Sequence, residues 1–120
     1  MNTRPLFLLA ILLTAATVFA QTPAPPLTKV EAKKVCMINE QFMNRDQIPV
    51  EVNGKTYYGC CAMCKDRLTN DASKRVAVDP VSGKTVDKAK AVIGAASDGM
   101  VVYFANEKNL KTYNKRAAKK

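Results

Sequence analysis

The chain has 120 residues, a formal net charge of +9, four cysteines, five methionines and no histidine. That length holds one compact domain or two very small associated units, and excludes two independent domains. With no histidine, no Gly-x-Ser-x-Gly elbow and no phosphate-binding glycine loop, the usual general-base, nucleophile and nucleotide patterns are missing, and the chain reads as a non-enzyme.

At the N-terminus Arg4 supplies a positive start, Leu6 to Leu13 a short apolar run, and Val18-Phe19-Ala20 a small-residue cleavage site before Gln21. The run is shorter than the ~20 residues of a spanning helix, and Thr14 and Thr17 interrupt its far end. Residues 1–20 therefore read as a signal peptide. Gln21, not a cysteine, follows the cleavage site, so no lipid anchor is expected, and a short basic leader suits bacterial export to the periplasm or beyond, without stable membrane insertion. Cleavage removes Arg4 and leaves 18 basic against 10 acidic side chains. In an exported protein that excess fits a lysine-rich solvated surface and a basic tail, residues 116–120, better than nucleic-acid binding, with attraction to anionic lipid headgroups a minor alternative.

Residues 21–33 open with three prolines in six positions and read as an extended leader. The stretch from Val35 to Met43 is mixed and receives no assignment. Ile48 to Val52 alternates, Asn53-Gly54 follows, and Lys55 to Tyr58 resumes with β-formers, which predicts a hairpin with Pro49 at a strand start or edge. This strand runs into Cys60-Cys61-Ala62-Met63-Cys64, whose continuation to Leu68 has good helix formers and a stop at Asn70. Cysteines at a helix start meet free N–H groups and the positive end of the macrodipole, which favour thiolate.

The plan then repeats. A turn-rich Asp79 to Lys84, a strand over Lys90 to Ile93, Asp98-Gly99, a strand over Met100 to Phe104 and a helix from about Asn106 to Lys115, capped by Asn106, are expected. Aligned on Gly54 and Gly99, Cys60 lies over Ala105, Cys61 over Asn106 and Cys64 over Asn109, while Cys36 falls within one residue of Ser82. The second half looks like a copy of the first without its sulfurs.

Tyr57-Tyr58-Gly59-Cys60-Cys61-Ala62-Met63-Cys64-Lys65, with Cys36 upstream, resembles the YHS and TRASH-like metal-binding domains, small treble-clef-related units. Asp79-Pro-Val-Ser82-Gly83 is similar to the Asp-Pro-Val-Cys-Gly-Met opening of that family with serine at the cysteine, and Val102-Tyr103-Phe104 to its aromatic strand. The resemblance covers roughly residues 34–114. It implies metal sensing, trafficking or resistance, with Cys36, Cys60 and Cys64 as ligands. Cys61 is additional to the three-cysteine motif, and Cys36-Met37 stands where Cys-Gly-Met belongs. The expected fold is α+β: two hairpin-plus-helix units, residues 34–75 and 76–115, packed as one domain, the second a structural partner carrying Ser82, Ala105 and Asn109 at the ligand positions.

Thiolates are soft ligands, and with histidine absent the site must be sulfur-rich, with Met37, Met43 or Met63 available to assist. One soft, low-coordinate ion is favoured: Cu(I) first, with Hg(II), Ag(I) or Cd(II) compatible, and Zn(II) the alternative that wants a fourth ligand. Adjacent side chains at a strand end diverge, so Cys60 and Cys61 converge on one ion only with strain. Cys61 is therefore a further candidate ligand, and Met37, beside Cys36, stands behind it; methionines and the tyrosines of the hairpins more often fill cores. A metal-delivery protein is the expected partner. Two other readings are weighed against this one. An even cysteine count in a small exported domain is the ordinary mark of disulfides, either Cys36–Cys60 with Cys61–Cys64 or Cys36–Cys61 with Cys60–Cys64, because a vicinal bridge is strained. Cys61-Ala-Met-Cys64 also matches a thiol-exchange pair, though without a thioredoxin-like βαβ context.

Overall fold

A computed structural model describes residues 25–119; the signal-peptide reading lies outside the described residues, as does the start of the leader. In chain order the elements are β1 (Thr28–Val30), β2 (Val35–Cys36), β3 (Gln41–Phe42), β4 (Ile48–Val52), β5 (Lys55–Gly59), α1 (Ala62–Asn70), β6 (Val76–Val78), β7 (Thr85–Asp87), β8 (Val92–Ala95), β9 (Val101–Phe104) and α2 (Glu107–Ala118). Single turns of 3-10 helix cover Ala32–Lys34 and Ala72–Arg75. All pairings are antiparallel: β1-β8-β9 form one sheet, and β2-β3, β4-β5 and β6-β7 are two-stranded. The fold is a small mixed α+β domain, and among the described residues no helix is long and apolar enough to cross a membrane.

Local chemistry explains the elements that carry the site. Asn53 and Gly54 both take positive φ, 52° and 75°, the turn that follows the right-handed twist of two paired strands. It joins β4 to β5 in the register Ile48 to Gly59 through Val52 to Lys55. In α1, Cys64 and Leu68 are four apart on one face and are the buried residues, so one helical stripe serves both the cysteine cluster and the core. Met63, one residue off that stripe, is 64% exposed and not core filler.

Element order repeats in the two halves: a two-stranded ladder, a hairpin, then a helix. The main core brings the halves together, with Val35, Met37, Val50, Tyr57 and Leu68 of the first packed with Ile93, Val101 and Tyr103 of the second. Asp87 at the end of β7 ties them further, accepting from Lys55 Nζ at 2.6 Å and Tyr57 Oη at 2.8 Å.

Three boundaries differ from the expectation. The leader is not wholly outside the fold: β1 pairs with β8, Leu27 is buried against Phe104 and Leu110, and the Asn114 amide bonds both the N–H and the carbonyl of Leu27. The strand expected over Lys90 to Ile93 lies at Val92–Ala95, because residues 88–90 turn while Asp87 Oδ1 accepts the Ala89 N–H. The basic tail begins as helix. Lys115 and Arg116 lie in the last turn of α2, where cations meet the negative end of the macrodipole, and two alanines extend it.

Candidate metal centre

Cys36 closes β2, Cys60 follows β5, and Cys64 lies in the first turn of α1. The fold brings their sulfurs within 4.8 Å of one another, with Cys60 to Cys64 at 3.6 Å and Cys36 to Cys64 at 4.0 Å. An ion with metal–sulfur bonds of about 2.3 Å spaces three thiolates by about 3.8 Å in tetrahedral and about 4.0 Å in planar geometry. The Cys60–Cys64 and Cys36–Cys64 distances fit that spacing, and the three cysteines could hold a metal ion. No disulfide joins any of the four cysteines in this structure.

Each position has a local cause. After Cys36 the chain turns through residues 37–40 and returns as β3, so the Asn39 N–H comes back to within 3.5 Å of Cys36 Sγ. The Asn39 amide also donates to Cys60 Sγ at 3.4 Å, which makes this side chain a bridge between the two cysteine segments. Lys88, only 4% exposed, fixes the turn from the other half: its Nζ donates to the Met37 carbonyl at 2.8 Å, pairs with Glu40 and lies over the Tyr103 ring. Neither Asn39 nor Lys88 was among the expected site residues.

Gly59 lets the helix approach the strand. A Cβ there would stand 2.8 Å from Cys64 Cβ and 3.4 Å from the Cys64 carbonyl carbon, so the first turn of α1 would have to move. Gly59→Ala should therefore cost about 1–3 kcal/mol of stability, the range for overpacking, and weaken metal affinity with it. Urea unfolding and a metal titration of the same variant check both effects.

The remaining candidates stand outside the mutually close group of three. Cys61 is exposed; its sulfur is 3.4 Å from Cys64 Sγ but does not belong to the mutually close group. Met37 is fully buried in the main core, which is the filler role.

The thiols have unequal proton affinities. Burial pushes the Cys36 thiol up, but N–H groups of Asn39 and Ile38 and a hydrogen bond with Cys60 outweigh it and hold Cys36 below the usual thiol range. Cys60, bonded to Cys36 and partly desolvated, is pushed up to about 12, and burial raises Cys64. Cys61 is lowered as well, by the Cys64 N–H and thiol, so Cys36 and Cys61 give up a proton more readily than Cys60 and Cys64, and a soft cation that binds the raised pair displaces protons.

In the second half the equivalent corner is built from a carboxylate. Across the β2-β3 ladder Cys36 pairs with Gln41; across β6-β7 the residue with the same five-residue pairing is Asp79, whose N–H donates to the Lys84 carbonyl at 2.9 Å. Asp79, and not Ser82, therefore occupies the place of Cys36. Its Oδ1 accepts the N–H groups of Val81 and Ser82 at 2.7 and 3.2 Å, as Cys36 Sγ accepts that of Asn39. Its Oδ2 accepts the Ala105 N–H at 2.8 Å and the Asn109 amide at 2.7 Å, the residues at the places of Cys60 and Cys64. The helix starts agree as well: Cys61 and Asn106 are both extended N-caps, at φ −156°, ψ 172° and φ −159°, ψ 171°.

No protein-family model, no curated protein and no solved structure matches the chain. The class defined by the fold and site is a small α+β domain with a three-cysteine cluster that could bind one metal ion.

Proposed function

We propose that the protein is an exported soft-metal-binding protein of YHS/TRASH-like type, with Cu(I) the favoured ion, acting in metal trafficking, buffering or resistance and not in catalysis. The single observation that carries this reading is the cluster itself: three sulfurs from two separated segments at the spacing of one three-thiolate ion. The donor set favours the soft ion. Three sulfurs without histidine are sufficient for Cu(I) and compatible with Hg(II) or Ag(I), whereas Zn(II) calls for a fourth donor from water, a carboxylate or Cys61. The second half serves as a scaffold, since the Asp79 carboxylate closes its own corner and Lys88 holds the Cys36 turn. A delivery protein completes the reading as the source or recipient of the ion.

Competitive titration of the reduced protein against a Cu(I) chelator tests it, together with metal analysis of protein purified without added metal. One tight equivalent per chain is expected. A second reading is favoured by the same proximity: Cys61 and Cys64 at 3.4 Å, and Cys36 near Cys60, are placed to form two disulfides. Four blocked sulfurs, no metal and no Cu(I) uptake after reduction would establish the staple instead.

A further inference from the structure

We propose that Cys61 is the transfer ligand of the cluster, the thiol that first takes a soft metal ion from a sulfur-bearing donor and passes it to Cys36, Cys60 and Cys64. This rests on the metal reading above.

Two observations carry it. The first is placement. Cys36 and Cys64 are buried, at 0% and 5% exposure, and Cys60 is half-buried with the Asn39 amide on its sulfur, so an incoming donor meets none of them freely. Cys61 is exposed, and its sulfur is 3.4 Å from that of Cys64, close enough for both to touch one ion in passing.

The second is what Cys61 fails to do for the fold. It is the N-cap of α1, a position where Asn, Asp, Ser or Thr satisfies a free N–H, yet its thiol makes only a loose contact with the Cys64 and Met63 N–H groups and no capping bond of ordinary geometry. The matching N-cap of α2 is Asn106, whose Oδ1 accepts the Asn109 N–H at 2.9 Å. The same backbone corner thus has a good capping residue in the half without sulfurs and a thiol, a much poorer cap, in the half with them. A local rule broken without structural return marks a functional position.

The step is ligand exchange, with no change of oxidation state. The metal–sulfur bond to the donor breaks as the bond to Cys61 forms, and the Cys61 proton passes to water. Cys64 then joins, releasing its proton to water, and the Cys61 bond breaks as Cys36 and Cys60 complete the three-sulfur set, each thiol that still carries a proton, Cys60 included, giving it to water as its bond to the metal forms. Cys61 recovers a proton. Release to an acceptor thiol is the reverse sequence.

Stopped-flow transfer of Cu(I) from a coloured Cu(I) chelate to the full protein tests this in the wild type, Cys61→Ser and Cys61→Asn. Cys61→Asn installs the cap of the other half, so a stability defect cannot mimic the result. In both variants the transfer rate should fall by about tenfold or more, the lower end of what groups around a metal site control, while the equilibrium affinity stays within about threefold. Normal binding with an unchanged rate overturns the proposal alone. An affinity that falls with the rate makes Cys61 a resident fourth ligand and overturns it too. A wild-type protein that takes up no Cu(I) removes the metal reading and this proposal together.

Discussion

Cys36→Ser should lower the affinity for Cu(I) by more than about 100-fold, since a structural thiolate site is worth about 10–16 kcal/mol over four ligands and one sulfur therefore about 3 kcal/mol. Cys36 is the candidate ligand brought in from the distant segment, 24 residues before Cys60, and its thiol is held below the usual range by the Asn39 and Ile38 N–H groups. A serine hydroxyl fits the same space and still accepts from Asn39, but it is a hard, weakly acidic donor that a soft ion does not favour. The domain should stay folded, so circular dichroism should hardly change while the titration does. An affinity within a few-fold of wild type would remove Cys36 from the site and leave Cys60 to Cys64 as a local pair.

The second large effect falls on the other half and on stability. Asp79 is fully buried and accepts four hydrogen bonds, from the ladder turn, from Ala105 just after β9 and from Asn109 in α2. Asp79→Ala removes the acceptor from all of them. With charged hydrogen bonds at about 1.5–3 kcal/mol each, and Ser82 and Ala105 able to recover water, a loss of about 4 kcal/mol is expected. That is a large share of the roughly 5–15 kcal/mol that holds a domain together. Urea unfolding measures it.

The same carboxylate makes stability depend on acid in a defined window. Burial raises its pKa, but the bonds from Ala105, Asn109, Val81 and Ser82 outweigh burial and hold it at about 2. Because the folded value lies below the unfolded one, near 4, the unfolded chain binds more protons between them. The contribution, about 2–3 kcal/mol, is complete above about pH 4 and is lost as pH falls through about 2. Asp79→Asn should lack this component of the acid slope. An identical slope in the variant would mean that the carboxylate is not held by these bonds.

What could be read in the sequence, and what could not, divides by the range of the interaction responsible. The Asn53-Gly54 hairpin, the strand running into Cys60, and the Asn106 cap rest on residues within a few positions of one another, and the structure places all three. The alignment of Cys64 with Asn109 was legible because the hairpin and helix keep their spacing in both halves. The match of Cys36 with Asp79 was not. The intervening stretch differs in length by two residues, and a serine three positions on looked the better substitute for a cysteine. Chemistry misled there: a carboxylate replaces the function of the corner by gathering N–H groups where a thiolate cluster gathers an ion. β1 was missed because Leu27 and Val30 find their partners more than 60 residues away, in β8, Phe104 and Leu110, with Asn114 as the clasp. Lys88 and Asn39 carry no signal of their own; a lysine in a basic sequence and an asparagine in a turn are ordinary until a fold buries one and aims the other at two sulfurs.

The two halves thus present one backbone corner closed in two ways, by an anion under four donors and by three thiols that an ion would join. X-ray absorption on the protein loaded with one equivalent of Cu(I) tests this most directly by counting the sulfurs on the metal. The account predicts three, at about 2.3 Å, falling to two in Cys36→Ser. A shell of two sulfurs that Cys36→Ser leaves unchanged would contradict it.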